Sequence, residues 1–466
     1  MAGAAPPSGP GQVGDDGPPD SRKDDRHDDR HSDRHDDREP YGRRRIAVIG
    51  SGIAGLTAAH VLCRSADVTL FEADDRVGGH AHTHDIADPA GGNPLRVDSG
   101  FIVHNARTYP YLLRLLRELD VATQESEMSM SVRCEGCGLE YAGALGPRGL
   151  FAQPRNALRP RYLRMLLEVT AFHRAARRLL AADTEREAGD DSTLRAFLVR
   201  GGFSAYFTAH FMTPLVSAVW SCSPATALDF PARYLFRFMD HHGMLSVGGS
   251  PVWRTITGGS RSYVERVTKQ LAAVRTSTPV HSLRRLPGGG AELGTGDGTV
   301  ERFDAAVVAV HPDQALRLLA EPTAAEREVL GAFRYTANPA LLHTDTSLLP
   351  RASGARASWN HLLPSCSADA GNVLVSYDMT RLQRLPGAET YVVTLNGAER
   401  VADSRVLARM DYAHPQYTPE SVAAQRRLPS LNGPVIAYAG AYHGWGFHED
   451  GCRSGAAAAG ALGVSW

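Results

Sequence analysis

Residues 45–56 read RIAVIGSGIAGL: an apolar run, 46–49, breaks into Gly50, Gly52 and Gly55 and resumes with small and apolar residues up to Cys63. A second apolar run, VTLFE, closes on Glu72. This is the order of a strand–turn–helix–strand unit that holds a dinucleotide. The run 46–49 predicts a buried parallel strand, and Gly50 makes the tight turn. Gly52 lets the backbone approach a pyrophosphate, and Gly55 lets helix and strand pack closely. The helix predicted over 53–63 directs the positive end of its dipole at the phosphates. Glu72, about 20 positions beyond the glycines, is placed to accept hydrogen bonds from a ribose diol. The same stretch, preceded by RRR, has the outline of a signal or membrane anchor. It is shorter than the ~18 apolar residues a span needs, carries three glycines and follows a long polar segment. Export is not expected, and a cytoplasmic location is.

The residues after Glu72 discriminate between nucleotides. ADDRVGGHAHT contains Arg76, Gly78, Gly79 and His80, and VDSGFIVHN then brings Asp98, Gly100 and Phe101. An acidic residue followed by a basic residue and a glycine pair, then a return strand into glycine, favours FAD over NAD. The added glycines let a loop wrap the ribityl and pyrophosphate groups. Near the other end, residues 435–464 read VIAYAGAYHGWGFHEDGCRSGAAAAGALGV: a strand, an aromatic-rich loop and a small-residue helix predicted to start near Asp450. The N-terminus of that helix would stabilise the negative charge of a reduced flavin without a lysine.

Seven landmarks carry a resemblance. They are GGHAHT (78–83), DSGFIVHN (98–105), MSMSV (128–132), PLVSAVWS (214–221), TGGSRSYV (257–264), SWNHL (358–362) and GAYHGWGFHEDG (440–451). On these the chain resembles the flavin amine oxidase, protoporphyrinogen oxidase and phytoene desaturase superfamily. Within it, the chain is most like a bacterial branch of FAD-dependent oxidoreductases often associated with cyclopropane fatty acid synthases. The resemblance implies an α/β fold: an FAD-binding Rossmann-like domain of the glutathione-reductase type, with an interleaved substrate domain of helices and mixed sheet. The FAD domain is expected over 45–105, 255–320 and 425–466, and the substrate domain over 106–254 and 321–424. The resemblance also places a valine, here Val280, with its backbone against the adenine. Gly440 and Asp450, in the final loop and at the start of its helix, are read as cofactor-binding; His448 and Glu449 are candidate cofactor ligands or acid and base, and the resemblance favours Glu449 as the residue that orients the cofactor.

Composition agrees with a folded enzyme. At 466 residues, 43% hydrophobic and net charge −1, the chain can bury one large or two medium cores and has no general attraction for nucleic acid. Residues 1–44 are different. Pro and Gly give way to RHDDRHSDRHDDR, a mixed-charge repeat without apolar positions that cannot offset its ordering entropy by burial. It is expected to be disordered, although His27, His31 and His35 would share one face of a helix. Of six cysteines, only Cys134 and Cys137, in CEGC, are closely spaced. Flanking Gly136 and Gly138 suit a hairpin turn, with redox or metal roles as the other readings and no metal site assigned.

The segment 106–254 reads as largely helical. Its RYLRMLLEVTAFHRAARRLL is an amphipathic scaffold helix or, given its arginines, a surface that rests peripherally on a membrane. DSTLRAFLVRGG offers Asp191 or Ser192 as a cap. The block VRTSTPVHSLRRL…AELGTGDGTVERF suggests a hairpin, followed by an apolar strand in 303–312.

A flavin in such a scaffold takes hydride from a substrate C–H at N5, while the protein positions the substrate, excludes water and tunes charge. Amine oxidases of the superfamily commonly use a lysine near N5, but this chain has only Lys23 and Lys269. Tyr442 and Trp445 are candidates for the wall beside the flavin. His242, with His241, is a candidate proton relay, and Cys452 a minor candidate for a covalent flavin anchor. The leading expectation is hydride transfer from a small hydrophobic substrate, an unsaturated or modified acyl chain, with oxygen or another electron acceptor. The alternatives are an amine oxidase that releases hydrogen peroxide, and an FAD-bound lipid-binding or scaffold subunit without catalysis.

Overall fold

The computed structural model describes residues 42–87, 91–182, 192–246, 248–367 and 371–466. The tail with Lys23, His27, His31 and His35 lies outside the described residues. So does Asp191.

Five parallel strands form the first sheet, in the order Ala273–Arg275, Ala66–Phe71, Arg44–Ile49, Ala305–Val308, Ile436–Tyr438. Its central strand pairs Ile46 with Val68 on one side and with Ala305 on the other. Residues 46–49 are buried throughout. That is why they read as an unbroken apolar run, since a parallel sheet covered on both faces has no solvent side to encode. The helix Ile53–Leu62 makes the crossover and is buried along its whole length.

The C-terminal helix His448–Ala461 packs on it. This helix begins two residues before the expected Asp450, because the backbone N–H of Phe447 is already engaged by the Asp450 carboxylate at 3.1 Å. The two helices run in parallel and touch through small residues. A β-carbon on Gly455 would collide with the carbonyl oxygen of Ala54, and one on Gly451 would press on Ile53. Thr57 and Cys452 meet across the contact at 3.5 Å.

The second sheet is mixed and has seven strands. The order is Val406–Gln416, Arg334–His343, Val392–Leu395, Val375–Asp378, Trp359–Leu363, Met130–Cys134, Glu140–Ala142. Its neighbours are antiparallel except Trp359–Leu363, which runs parallel to Met130–Cys134 with Leu363 opposite Cys134. The CEGC turn joins the last two strands as a hairpin. The hairpin expected before residue 303 is instead a three-stranded meander, Val280–Arg285, Ala291–Thr295, Val300–Phe303. The extra strand forms because GDG at 296–298 supplies a second tight turn, with Gly298 at positive φ.

The segment between the two blocks is helical, as its periodicity predicts. Pro160–Ala181 buries Tyr162, Met165, Phe172, His173 and Ala176 on one stripe and leaves Leu163 and Leu167 exposed among arginines. Leu194–Arg200 is capped by the Thr193 hydroxyl, which accepts from Ala196 N at 3.3 Å, rather than by Ser192. No helix among the described residues is long and apolar enough to cross a membrane.

The helix contact generates a prediction. Gly455→Ala forces a β-carbon onto the Ala54 backbone and is expected to lower stability by about 1–3 kcal/mol. Gly460→Ala, in the same helix with open space at that position, is expected to raise it by about 0.5–1 kcal/mol. Paired denaturant titrations check both signs; equal effects would contradict the packing described.

Candidate functional site

The glycine turn has the form a phosphate cradle needs. Gly50 sits at φ +98° with its N–H bonded to Phe71 O at 2.8 Å, and a β-carbon there would lie 2.6 Å from Ala309 O. A β-carbon on Gly55 would collide with the Gly50 carbonyl oxygen. Gly52 is the N-cap of Ile53–Leu62, has no side-chain cap, and would find nothing within 4 Å of an added β-carbon. The first N–H groups of that helix therefore face open space.

Glu72 ends the neighbouring strand. Its carboxylate accepts from Ser51 N at 2.9 Å, from the Ser51 hydroxyl, and from Asp74 N at 3.1 Å. The Ser51 hydroxyl in turn accepts from Gly78 N at 2.9 Å, which draws the Gly78–Gly79 loop over the turn. Arg76 folds back to donate to Gly79 O at 2.9 Å. Val280 is buried in the same cluster as Ile49 and Phe71, and two residues before it Thr278 N donates to Glu72 O at 2.8 Å. The structure thus gathers Gly50, Gly52, Gly55, Glu72, Arg76, Gly78, Gly79 and Val280 around one strand end.

Asp98 is the buried anchor of the loop that follows. It accepts from Thr83 Oγ1 at 2.5 Å, Ser260 N at 3.0 Å, Ser260 Oγ at 2.8 Å and Gln383 Nε2 at 3.1 Å. Burial pushes its carboxyl up to about 6 against those hydrogen bonds.

The loop 440–450 is clasped by its own acids. Asp450 accepts from Trp445 N at 3.0 Å and pairs with Arg453 at 2.9 Å. Glu449 accepts from Tyr111 N and Leu112 N, both at 3.0 Å, and so caps the helix Pro110–Glu118. Burial raises Glu449 to about 7 and Asp450 to about 6. Gly440 exchanges hydrogen bonds with the Ser454 hydroxyl, both at 3.0 Å. Cys452 is fully buried in the helix contact, facing Thr57.

Trp445 and His242 come together, with ring centroids 6.4 Å apart. Trp220 Nε1 holds the Trp445 carbonyl at 3.0 Å. His242 donates from Nδ1 to Phe238 O at 3.0 Å and stacks on Phe238 at 4.0 Å. Trp253 and Phe447 complete this wall. Tyr442 is placed elsewhere, fully buried against Phe333 in the cluster beneath the first sheet.

A second group of rings joins His80, Phe101 and His448, which the sequence had offered, to Tyr335, Tyr412, His311 and His414, which it had not singled out. His80 stacks on Tyr412 at 4.7 Å and meets His414 edge-on at 5.3 Å; His311 stacks on Tyr335 at 3.9 Å; Phe101 stacks on His448 at 3.6 Å. The available signal was two His-Pro pairs, 311–312 and 414–415. A residue before proline is held extended, which suits a side chain fixed at a strand end.

A dinucleotide cofactor fits these residues. The turn leaves space in front of bare helix N–H groups, and the two parallel helices bring both N-termini to one end. His80 Nε2, His443 Nε2 and Trp445 Nε1 are buried with no hydrogen-bond partner in the protein. Leaving such atoms unsatisfied costs about 1–3 kcal/mol each, so a ligand with polar ring atoms is what they suit.

The histidines here are held neutral by burial. His414 and His242 are lowered to about 4, and His443 and His448 to about 3, from an ordinary 6.5. The unfolded chain takes these protons first, so their contribution to stability is full above about pH 6.5 and is lost as pH falls through 6.5 toward 4. The raised carboxyls oppose this but are fewer. The unfolding free energy is expected to drop between pH 7 and pH 5 in denaturant titrations. His443→Gln should lessen the slope by about 1.4 kcal/mol per pH unit, and an unchanged slope would refute the neutral-imidazole account.

The model of the family described as flavin containing amine oxidoreductase matches residues 53–463. The chain is similar to the carotenoid phi-ring synthase of Streptomyces griseus, 30% identical over 301 residues that cover 60% of this chain and 56% of that protein. The match therefore spans little more than half of that relative. In fold, the chain is similar to a CLA-producing fatty acid isomerase from P. acnes, with 16% identity, a TM-score of 0.61, and coverage of 88% of this chain and 97% of that one. It is equally similar to the cyclohexylamine oxidase of Brevibacterium oxydans IH-35A, with 16% identity, a TM-score of 0.61, and coverage of 90% and 99%. With the glycine turn, the joined ends of the chain and a family match over almost all of the described molecule, the chain belongs to the flavin containing amine oxidoreductase family and is a flavin-dependent oxidoreductase whose cofactor is FAD.

Proposed function

We propose that this flavoenzyme acts on a small hydrophobic substrate, an unsaturated or modified acyl chain, by dehydrogenation or by rearrangement of a double bond. The observation that carries the reading is the uncharged wall formed by Phe238, His242, Trp253, Trp445 and Phe447. Its imidazole is neutral, and the two carboxylates of the adjoining loop are engaged by backbone N–H groups and Arg453. Among the described residues a protonated amine finds no free counter-charge there. Lys269 is exposed just beyond the helix Arg261–Thr268 and takes no part.

In this reading Gly50, Gly52 and Gly55 seat the pyrophosphate, Glu72 holds the ribose and Val280 backs the adenine. Arg76, Gly78, Gly79 and His80 line the ribityl and ring end, with Gly440, Glu449 and Asp450 shaping the loop opposite. The bound flavin supplies a hydride acceptor at N5. The chain's own part is to exclude water with Trp445 and Phe447, to orient the acyl chain by apolar contact, and to leave His242 Nε2 free to hold or pass a proton. The exposed Leu158, Leu163 and Leu167 beside Arg161 and Arg164 suit a peripheral contact with the membrane from which such a substrate is drawn.

The purified protein is expected to be yellow and to be bleached anaerobically by cell lipid extract or unsaturated fatty acids, but not by monoamines or polyamines. Steady hydrogen peroxide formation from amines would reverse the assignment in favour of an amine oxidase. Gly52→Asp is expected to abolish flavin binding. Trp445→Ala should keep the flavin and slow its reduction by lipid about tenfold, a loss of about 1.4 kcal/mol in the transition state. Stopped-flow absorbance reads both.

A further inference from the structure

Four metal-ligating side chains converge on one point outside the residues given to the flavin. Cys134 ends the strand Met130–Cys134, and Cys137 lies in the turn that follows. Cys366 lies just beyond the strand Trp359–Leu363. His210 sits in the single π-helical turn Thr208–Met212. One ligand atom from each lies within 4.8 Å of all the others. Cys134 Sγ and Cys366 Sγ are 3.7 Å apart, and Cys137 Sγ and His210 Nε2 are 3.5 Å apart. A tetrahedral zinc ion, with Zn–S about 2.3 Å and Zn–N about 2.0 Å, sets two sulfurs about 3.8 Å apart and a sulfur and a nitrogen about 3.5 Å apart. The three thiols are free of disulfides.

The surroundings match this use. His210 Nδ1 donates to Tyr206 O at 3.2 Å, which leaves the lone pair on Nε2 facing Cys137, and its ring is steadied by stacking on Tyr206 at 4.0 Å. Orientation of a ligating imidazole through its other nitrogen is the usual second support of a metal site. Cys134 N donates to Leu139 O at 2.8 Å, closing the CEGC turn. A β-carbon on Gly136 would lie 3.0 Å from Cys366 N and 3.2 Å from its sulfur, so a side chain there would press the Cys366 segment away. Arg159 and Arg155 donate to the carbonyls of Cys137 and Gly138 at 3.1 and 2.9 Å. They bring two positive charges beside a set that is anionic when three thiolates and a neutral imidazole hold a divalent cation. Single π turns of this kind are frequent at functional positions.

We propose that Cys134, Cys137, Cys366 and His210 form a structural zinc site. All four positions are filled by protein, so no place is open for a substrate or water, and thiolate with imidazole selects zinc over magnesium or calcium. Loading the site releases the thiol protons to solvent and changes no oxidation state. The ion would tie three segments that are distant along the chain: the hairpin of the mixed sheet, the loop after its parallel strand, and the turn that leads into the helix Thr213–Trp220. Trp220 holds the Trp445 carbonyl, so the zinc site braces one side of the aromatic wall.

The test uses the full-length protein purified in reducing buffer without a metal-affinity tag. Elemental analysis is expected to find about one zinc per chain. Cobalt(II) exchange should give intense tetrahedral d–d bands and a thiolate charge-transfer band in the difference spectrum against zinc protein. Cys366→Ser, at an exposed position, and His210→Gln should each weaken zinc retention against a chelator about tenfold or more, with flavin absorbance serving as the control for folding. Three results would overturn the proposal: folded protein with negligible zinc after supplementation, zinc retention unchanged in both variants, or a Cys134–Cys366 disulfide trapped by thiol blocking. Zinc content is read independently of flavin reduction, so failure here leaves the substrate reading untouched, and the converse also holds.

Discussion

The close parallel contact between Ile53–Leu62 and His448–Ala461 is the constraint on which the site depends. Only glycine allows two helices to approach until one helix's Cα meets the other's carbonyl. At Gly455 the Ala54 oxygen fills the space a β-carbon would need. Because the helices run in the same direction, both N-termini reach the same end of the molecule. Two positive dipole ends then serve one region: one behind the glycine turn, the other behind the loop 440–450. A ligand with a diphosphate at one end and a ring that gains negative charge at the other suits that arrangement, and no lysine is required to supply the charge.

Burial sets the chemistry around it. Most described histidines are pushed below their ordinary value by desolvation, while Asp98, Glu449 and Asp450 are pushed above theirs. Both shifts move the groups toward neutrality, so the wall beside His242 and Trp445 carries little charge. Such a surface is the basis of the substrate class proposed above. The carboxylates that the final motif offers in sequence are consumed by structure: one caps a neighbouring helix, the other closes its own loop.

Much of the fold was legible because local physics and global fold agree. The run 46–49 is apolar because both faces of its strand are covered. The stripe in 160–181 repeats with a helical period because one face meets the core. The glycines at 50, 52 and 55 are spaced by the turn they make. Finer features depend on which of several neighbouring polar or aromatic groups reaches its partner in the folded backbone. The C-terminal helix starts at His448 because Asp450 reaches back to Phe447. Thr193 caps its helix because its hydroxyl reaches Ala196. Tyr442 and Trp445, three residues apart, enter different clusters, since the turn between them points one under the sheet and the other toward the helices.

The sequence by itself determined the cofactor class, and it marked the glycine turn proposed to seat the phosphates. A turn that needs positive φ and close backbone approach must be written in glycine, and glycine spacing is readable without coordinates. Tertiary structure alone decided which rings face one another and which side chains meet CEGC. A pair of cysteines is ambiguous until something supplies the remaining ligands. His210 lies 73 residues from Cys137, and Cys366 lies 232 from Cys134. Only the parallel pairing of two strands and the close passage at Gly136 bring them within bonding reach, because ligand geometry is fixed by distances in space that spacing along the chain does not record.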